Sequence, residues 1–141
     1  MQWHPYLIFD GNCEEAFSFY AQTLGGKVVR LSHYGDAPSG SGTPTPEGRG
    51  KVMHARLEAG GQVLMGSDAC PPQYQYEGVK GCSVSLDVDS AAEAERIFKA
   101  LSQGGSVQMP LDRTFWAERF GMLVDRFNIP WFVNYTGNVQ F

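Results

Sequence analysis

Two segments of the chain repeat the same grammar. "NCEEAFSFYAQTLGG" begins at Asn12 and "SAAEAERIFKALSQGG" at Ser90. A shift of 78 positions (90 − 12) pairs Asn12 with Ser90, Glu15 with Glu93, Ala16 with Ala94, Phe19 with Ile97, Tyr20 with Phe98 and Gly26 with Gly104. Each segment has a capping residue, a carboxylate three positions on, an apolar side and a terminal glycine, which together specify a helix with both ends marked. Ala16, Phe17, Phe19, Tyr20 and Leu24 supply the apolar side of the first helix, which stops at Gly25-Gly26. Each helix follows one strand-like run and precedes about three. The chain is therefore expected to be α+β, a duplicated β-α-β-β-β unit spanning roughly 3–67 and 80–135 of a single domain, 1–141. A unit this small cannot bury its own sheet face, so two copies must pack together.

The strand-like runs are Trp3 to Phe9, Lys27 to Tyr34, Lys51 to Glu58, Gln62 to Ser67, Cys82 to Val88, Ser106 to Met109, Glu118 to Val124 and Ile129 to Tyr135. The third and fourth are joined through "AGG", a hairpin signal. Between the second and third lies "GDAPSGSGTPTPEGRG", residues 35–50, a long loop. Its "GSG" is not followed by a helix-forming run, which speaks against phosphate binding of the P-loop kind. A second irregular stretch covers residues 68–81.

Composition narrows the function classes. A net charge of −4 gives no basic footprint for nucleic acid. Three cysteines, Cys13, Cys70 and Cys82, form no CxxC pair, which disfavours a disulfide framework or a zinc knuckle. No apolar run has the length of a membrane span. The opening "MQWHPYLIFDGN" lacks the basic segment and apolar run of a signal peptide, so a cytoplasmic location is expected. "MGSD" is not a nucleophile elbow, and there is no Rossmann fingerprint.

Three stretches carry a resemblance: "PYLIFDGNCEEAFSFY", "VMHARLEAGGQVLMGSD" and "FWAERFGMLVDRFNIPWFVN". With the paired βαβββ units, they make the chain similar to the PhnB-like branch of the vicinal oxygen chelate superfamily, the glyoxalase and bleomycin-resistance fold. The resemblance implies a curved mixed sheet, a small-molecule ligand on its concave side, a homodimer and, in many members, a divalent metal. Metal-using members take ligands from the first, fourth, fifth and last strands. Carried over, those positions fall on His4 or Pro5, Met65, Ser83 and Phe132. Only His4 could bind a metal, and a lone imidazole is no metal site. No cofactor is therefore expected, and the metal-dependent chemistry of the superfamily does not carry over directly. Some relatives are labelled ubiquinone-pathway methyltransferases, but the sequence shows no S-adenosylmethionine motif.

The candidate ligand-binding residues are His54, Arg56, Asp68, Trp116, Trp131, Phe132 and Asn134. Alternation along "VMHARLE" places His54, Arg56 and Glu58 on one strand face, where a His beside an Arg could bind an anion or polarise a carbonyl, or simply meet solvent or a dimer partner. Asp68 either caps a turn or sits at the cavity mouth. Phe115, Trp116 and Trp131 either stack on a flat ligand or fill core. Asn134 either bonds a ligand or finishes its strand. His33 reads as a solvated strand end. Cys13 lies in a helix's first turn, where the choice is between an activated thiolate and a buried structural thiol. Cys82 should point into packing. Asp125 and Arg126 serve the last turn, and Arg113 and Arg119 are further anion candidates. Three functions remain open: a small-molecule binder with little or no metal chemistry, a metal-dependent lyase, isomerase or dioxygenase, and a sequestering resistance-type binder.

Overall fold

A computed structural model describes residues 1–37, 45–72 and 74–140. It divides into two compact units, Met1–Gly78 and Val79–Phe141.

The first unit runs β1 (Tyr6–Phe9), α1 (Cys13–Leu24), β2 (Lys27–His33), β3 (Val52–Ala59) and β4 (Gln62–Asp68). Its sheet has the order β1-β4-β3-β2, with β1 parallel to β4 and the other pairs antiparallel. The second unit runs β5 (Val84–Asp87), α2 (Ala91–Ser102), β6 (Ser106–Asp112), β7 (Arg119–Val124) and β8 (Pro130–Tyr135). Its order is β5-β8-β7-β6, again with only the first pair parallel. The expected βαβββ plan is present twice, and the 78-residue shift carries Cys13 onto Ala91 and Leu24 onto Ser102, the bounds of the two helices.

The helices cover one face of each sheet. In the first unit Phe9, Ala16, Phe17, Tyr20, Ala55, Leu57 and Leu64 are buried between α1 and the sheet. Phe17, rather than Phe19, completes the buried stripe, and Phe19 is half-buried. In the second unit Ala94, Ile97, Phe98 and Leu101 of α2 are buried with Leu123, Trp131 and Val133. Each sheet admits its helix through a strand glycine. A Cβ on Gly66 would stand 2.9 Å from the Phe17 ring, and one on Gly121 would stand 2.6 Å from the Phe98 ring.

The two helices start differently. Ser90 Oγ accepts from Glu93 N at 3.1 Å, the expected cap. Glu93 does not reach back to complete a box, because Arg96 takes both its oxygens at 2.8 and 3.0 Å. Asn12 makes no side-chain cap bond, which corrects the capping box expected there, and its Oδ1 is buried without a partner. The free helical N–H of Cys13 is instead taken by Asp68 from the end of β4.

Strand bounds shift slightly. β1 begins at Tyr6, three residues after the expected start, and β6 runs on to Asp112 rather than stopping near Met109. The β3–β4 turn is tight because Gly60 and Gly61 both take positive φ, 55° and 78°. The loop expected over 35–50 contains 3-10 turns at Tyr34–Asp36 and Pro46–Gly50. Its "GSG" lies outside the described residues.

Candidate ligand-binding site

Strand alternation and register sort the candidate residues by face. In the first sheet His54 and Arg56 lie on the face away from α1, beside Tyr6 and Met65. The Tyr6 hydroxyl and His54 Nδ1 are hydrogen-bonded at 3.1 Å, and the two rings stack with centroids 5.7 Å apart. Arg56 pairs with Glu58 at 3.0 Å along the same strand. The polar stripe expected on this face is therefore present, with each member already engaged.

Asp68 belongs to the other face. It is 2 % exposed, with one carboxylate oxygen accepting from Cys13 N at 2.9 Å and the other from Val52 N at 2.8 Å. The Tyr34 hydroxyl donates to its main-chain carbonyl at 3.1 Å. The cavity-mouth role expected of Asp68 is thereby corrected: it ties the starts of α1 and β3 to the end of β4. Cys13 is buried beside it, and burial first, then the Asp68 charge, pushes the thiol pKa upward. The positive end of the helix does not activate this cysteine, because the thiol is fully buried close to the Asp68 charge.

In the second sheet Trp131 is also corrected. It is fully buried on the α2 side, and its Nε1 donates to Asp125 Oδ2 at 2.8 Å. The other Asp125 oxygen accepts from Phe127 N and Ile129 N at 2.8 and 3.0 Å, which fixes the turn into β8. Asn128 takes a positive φ of 69° there, a conformation asparagine tolerates well.

The remaining candidates converge on the face opposite α2. Phe132 of β8 meets Phe120 of β7 with centroids 5.6 Å apart, Phe120 meets Trp116 at 5.1 Å, and Trp116 meets Phe115 at 4.9 Å, all edge to face. Thr114 Oγ1 accepts from Trp116 N and Ala117 N at 3.3 and 3.1 Å, which holds Trp116 in the β6–β7 connection. Asn134 lies beside Phe120 on β7 and Asp87 on β5. Its Nδ2 donates to Asp87 Oδ1 at 2.8 Å and Thr136 Oγ1 at 3.0 Å, while Oδ1 is buried without a partner. A buried acceptor left bare costs roughly 1–3 kcal/mol. Phe120 and Asp87 were not among the sequence candidates. Alternation puts Phe120 on this face, but Asp87 is placed by the β5–β8 register, which no local pattern reveals.

The positions that hold metal in the superfamily are distributed as follows. His4 precedes β1, and its Nε2 is 3.3 Å from Gln2 Oε1. Met65, Ser83 and Phe132 offer a thioether, a hydroxyl and a phenyl ring. Divalent metals in such sites want imidazole and carboxylate donors, so this donor set does not fit one. Among the described residues no three of His, Cys, Asp and Glu come together.

Other candidates lie elsewhere. His33 ends β2 and pairs through Nε2 with Glu14 at 2.8 Å. Arg119 reaches Glu95 of α2 at 3.4 Å. Cys82 is exposed, not packed, because it precedes β5 instead of lying in it. An open depression of about 490 Å³ is lined by Thr45, Glu47, Lys51, Cys70, Pro71 and Pro72. No helix among the described residues is long and apolar enough to cross a membrane.

The family model described as 3-demethylubiquinone-9 3-methyltransferase matches residues 1–134. The chain belongs to this PhnB-like family. It is 33% identical to Protein YjdN of Escherichia coli over 92% of each chain. The crystal structure of protein PA1353 from Pseudomonas aeruginosa is similar at 56% identity, with a TM-score of 0.88 over 96% of this chain and 97% of that one. Two more distant structures share the fold. They are the PhnB protein from Bacillus cereus (24% identity, TM-score 0.78, 96% and 99% covered) and the fosfomycin resistance protein FosX from Listeria monocytogenes (9%, 0.65, 98% and 94%). Both likenesses show the fold, the paired βαβββ plan that the repeated units imply.

Proposed function

We propose that this PhnB-like protein binds a flat small organic molecule against the open face of its second sheet, without a metal ligand set of the superfamily type. The observation that carries this reading is the run of rings Phe115, Trp116, Phe120 and Phe132 on the face α2 does not cover. Edge-to-face rings at this spacing present an apolar wall on which a planar ligand can stack. Asn134 adds a polar handle at its end, the arrangement usual in small-molecule sites. The methyltransferase activity in the family's name would need a site for a methyl donor, and the sequence offers no motif for one. The residues at the superfamily's metal positions likewise offer no set of donors for catalysis.

The test is amide and aromatic NMR of the full chain, titrated with planar aromatic fragments, with S-adenosylmethionine and with Mn(II), Zn(II) and Ni(II). Fragments should shift the signals of Trp116, Phe120 and Phe132, and the Trp116→Ala/Phe132→Ala double variant should lose that response. Tight S-adenosylmethionine binding, stoichiometric metal uptake, or fragment shifts confined to other regions would overturn the reading.

A further inference from the structure

Alternation and register also lay out the face of the first sheet that α1 leaves open. One row reads Tyr6, Met65, Arg56, Arg30 across β1, β4, β3 and β2. The adjacent row reads Ile8, Ser67, His54, Ser32, with the Ala55–Gly66 pairing taken one step further. Arg30 and Arg56 therefore stand directly opposite each other, and like charges so placed on neighbouring strands are destabilising. The chain has 15 acidic residues against 11 basic ones, yet these strands set Lys27, Arg30 and Arg56 on this face against the carboxylate of Glu58 alone. Glu58 does not neutralise the arginine pair. It takes Arg56 Nε at 3.0 Å, which leaves the terminal nitrogens of that fork without a hydrogen bond among the described residues. Arg30 is exposed, and no ion pair among the described residues involves it.

Ser67 is a second and independent anomaly on the same face. It is 7 % exposed, and its hydroxyl makes no hydrogen bond among the described residues. The hydroxyl nonetheless reaches the surface, because the fully enclosed side-chain atoms without a partner are Asn12 Oδ1 and Asn134 Oδ1. It lies beside His54, whose ring the Tyr6 hydroxyl pins at 3.1 Å, and diagonally across from Arg56, a separation that a long side chain spans. The short serine is thus the floor of a groove that has arginine forks along one side.

We propose that this face binds a small organic acid by its oxyanion, a carboxylate or a phosphate. The oxyanion bridges the guanidinium groups of Arg30 and Arg56, whose planar forks match such groups, and it accepts from Ser67 Oγ. The apolar body of the acid lies on Met65 and the Tyr6 ring. An anion answers both anomalies, since it offsets the opposed arginines and gives the serine a partner. A cation would do neither. The site belongs to the other unit from the ring wall and does not rest on the reading given for that wall.

The experiment titrates the full chain with butyrate, monobutyl phosphate, butyramide and butylamine at neutral pH and low salt, followed by amide NMR. These probes are aliphatic and cannot stack on rings as a planar ligand does. At least one of the two acids should bind about tenfold more tightly than butyramide, shift the signals of Arg30, Arg56 and Ser67, and weaken as salt is added. Whichever acid binds more tightly identifies the oxyanion. Arg30→Gln should weaken binding about tenfold and yet melt no lower than the parent chain, because it removes the opposed charge. Ser67→Ala should weaken binding about threefold while the fold, checked by circular dichroism, is kept. Equal binding of acids and amide, tighter binding of butylamine, shifts confined to other residues, binding of none of the probes, or an Arg30→Gln protein that binds as well as the parent would overturn the inference.

Discussion

Removing the Asp68 carboxylate is the sharpest test of the division between structural and ligand-facing residues. Both oxygens of this 2 % exposed side chain accept a main-chain N–H, from Cys13 at 2.9 Å and Val52 at 2.8 Å. Hydrogen bonds to charged groups contribute about 1.5–3 kcal/mol each, and a buried donor left without a partner costs about 1–3 kcal/mol. Asp68→Ala leaves two such donors, at the first turn of α1 and the first residue of β3. The expected loss is roughly 3–5 kcal/mol, the lower part of that sum because water can reach a truncated site. For a chain of this size each kcal/mol lowers Tm by about 2–4 °C, so the midpoint should fall by about 10 °C. Asp68→Asn can accept from only one of the two N–H groups and points its own donors at the other, so it should lose about 2–3 kcal/mol. Urea unfolding followed by circular dichroism measures both. A loss below about 1 kcal/mol for Asp68→Ala would refute the clamp and return Asp68 to the list of ligand contacts. Folded Asp68→Asn protein should still bind the planar fragments, since both carboxylate oxygens are taken up by main-chain N–H groups within the first unit.

Two further outcomes follow from local geometry. Ser90→Ala should destabilise by about 1 kcal/mol in denaturant melts, because it removes a working cap, whereas Asn12→Ala should not destabilise, because Asn12 caps nothing and its buried Oδ1 has no partner to lose. The Glu14 hydrogen bond raises the His33 pKa above its ordinary 6.5. The stability this pair contributes is therefore complete below the unfolded value and is lost as pH rises through the raised folded value. His33 is a third exposed and Glu14 more than half, so the pair's contribution stays below about 1 kcal/mol. An NMR titration should find His33 above 6.5, with Glu14→Gln bringing it down; an unshifted His33 would contradict the pairing.

Much of the fold was legible because it is local. Capping residues, helical periodicity and the glycine pair after Ala59 each act within a few residues, and the repeat made each unit a check on the other. The failures have a common physical source. Asn12 looks like a cap, but the first N–H of the helix is held by a carboxylate 55 positions away in sequence (68 − 13), which no short window contains. Trp131 and Phe132 are adjacent large aromatics in an aromatic strand, and only the strand's phase decides which one faces α2. The phase shows in "PWFVNY" once Val133 is known to be buried, since Trp131 shares its side. Asp87 entered the site through the parallel pairing of β5 with β8, a contact between the two ends of the unit.

The glycine notches give the duplication a further meaning. In the first unit the notch is at Gly66 on β4 and receives Phe17; in the second it is at Gly121 on β7 and receives Phe98. The 78-position shift carries Phe17 onto Glu95 and Tyr20 onto Phe98, so the ring that fills the first notch has no counterpart in the second helix, and the notches themselves lie on different strands, β4 and β7. The halves share a blueprint but have become non-interchangeable parts. A chimera with α1 in place of α2 would press the Phe17 ring against a strand with no hollow for it, and one with α2 in place of α1 would set Glu95 at the Gly66 hollow and leave it empty. Ring and glycine in each half can therefore change only as a pair, which fixes how each helix beds on its sheet and leaves the opposite faces free to diverge.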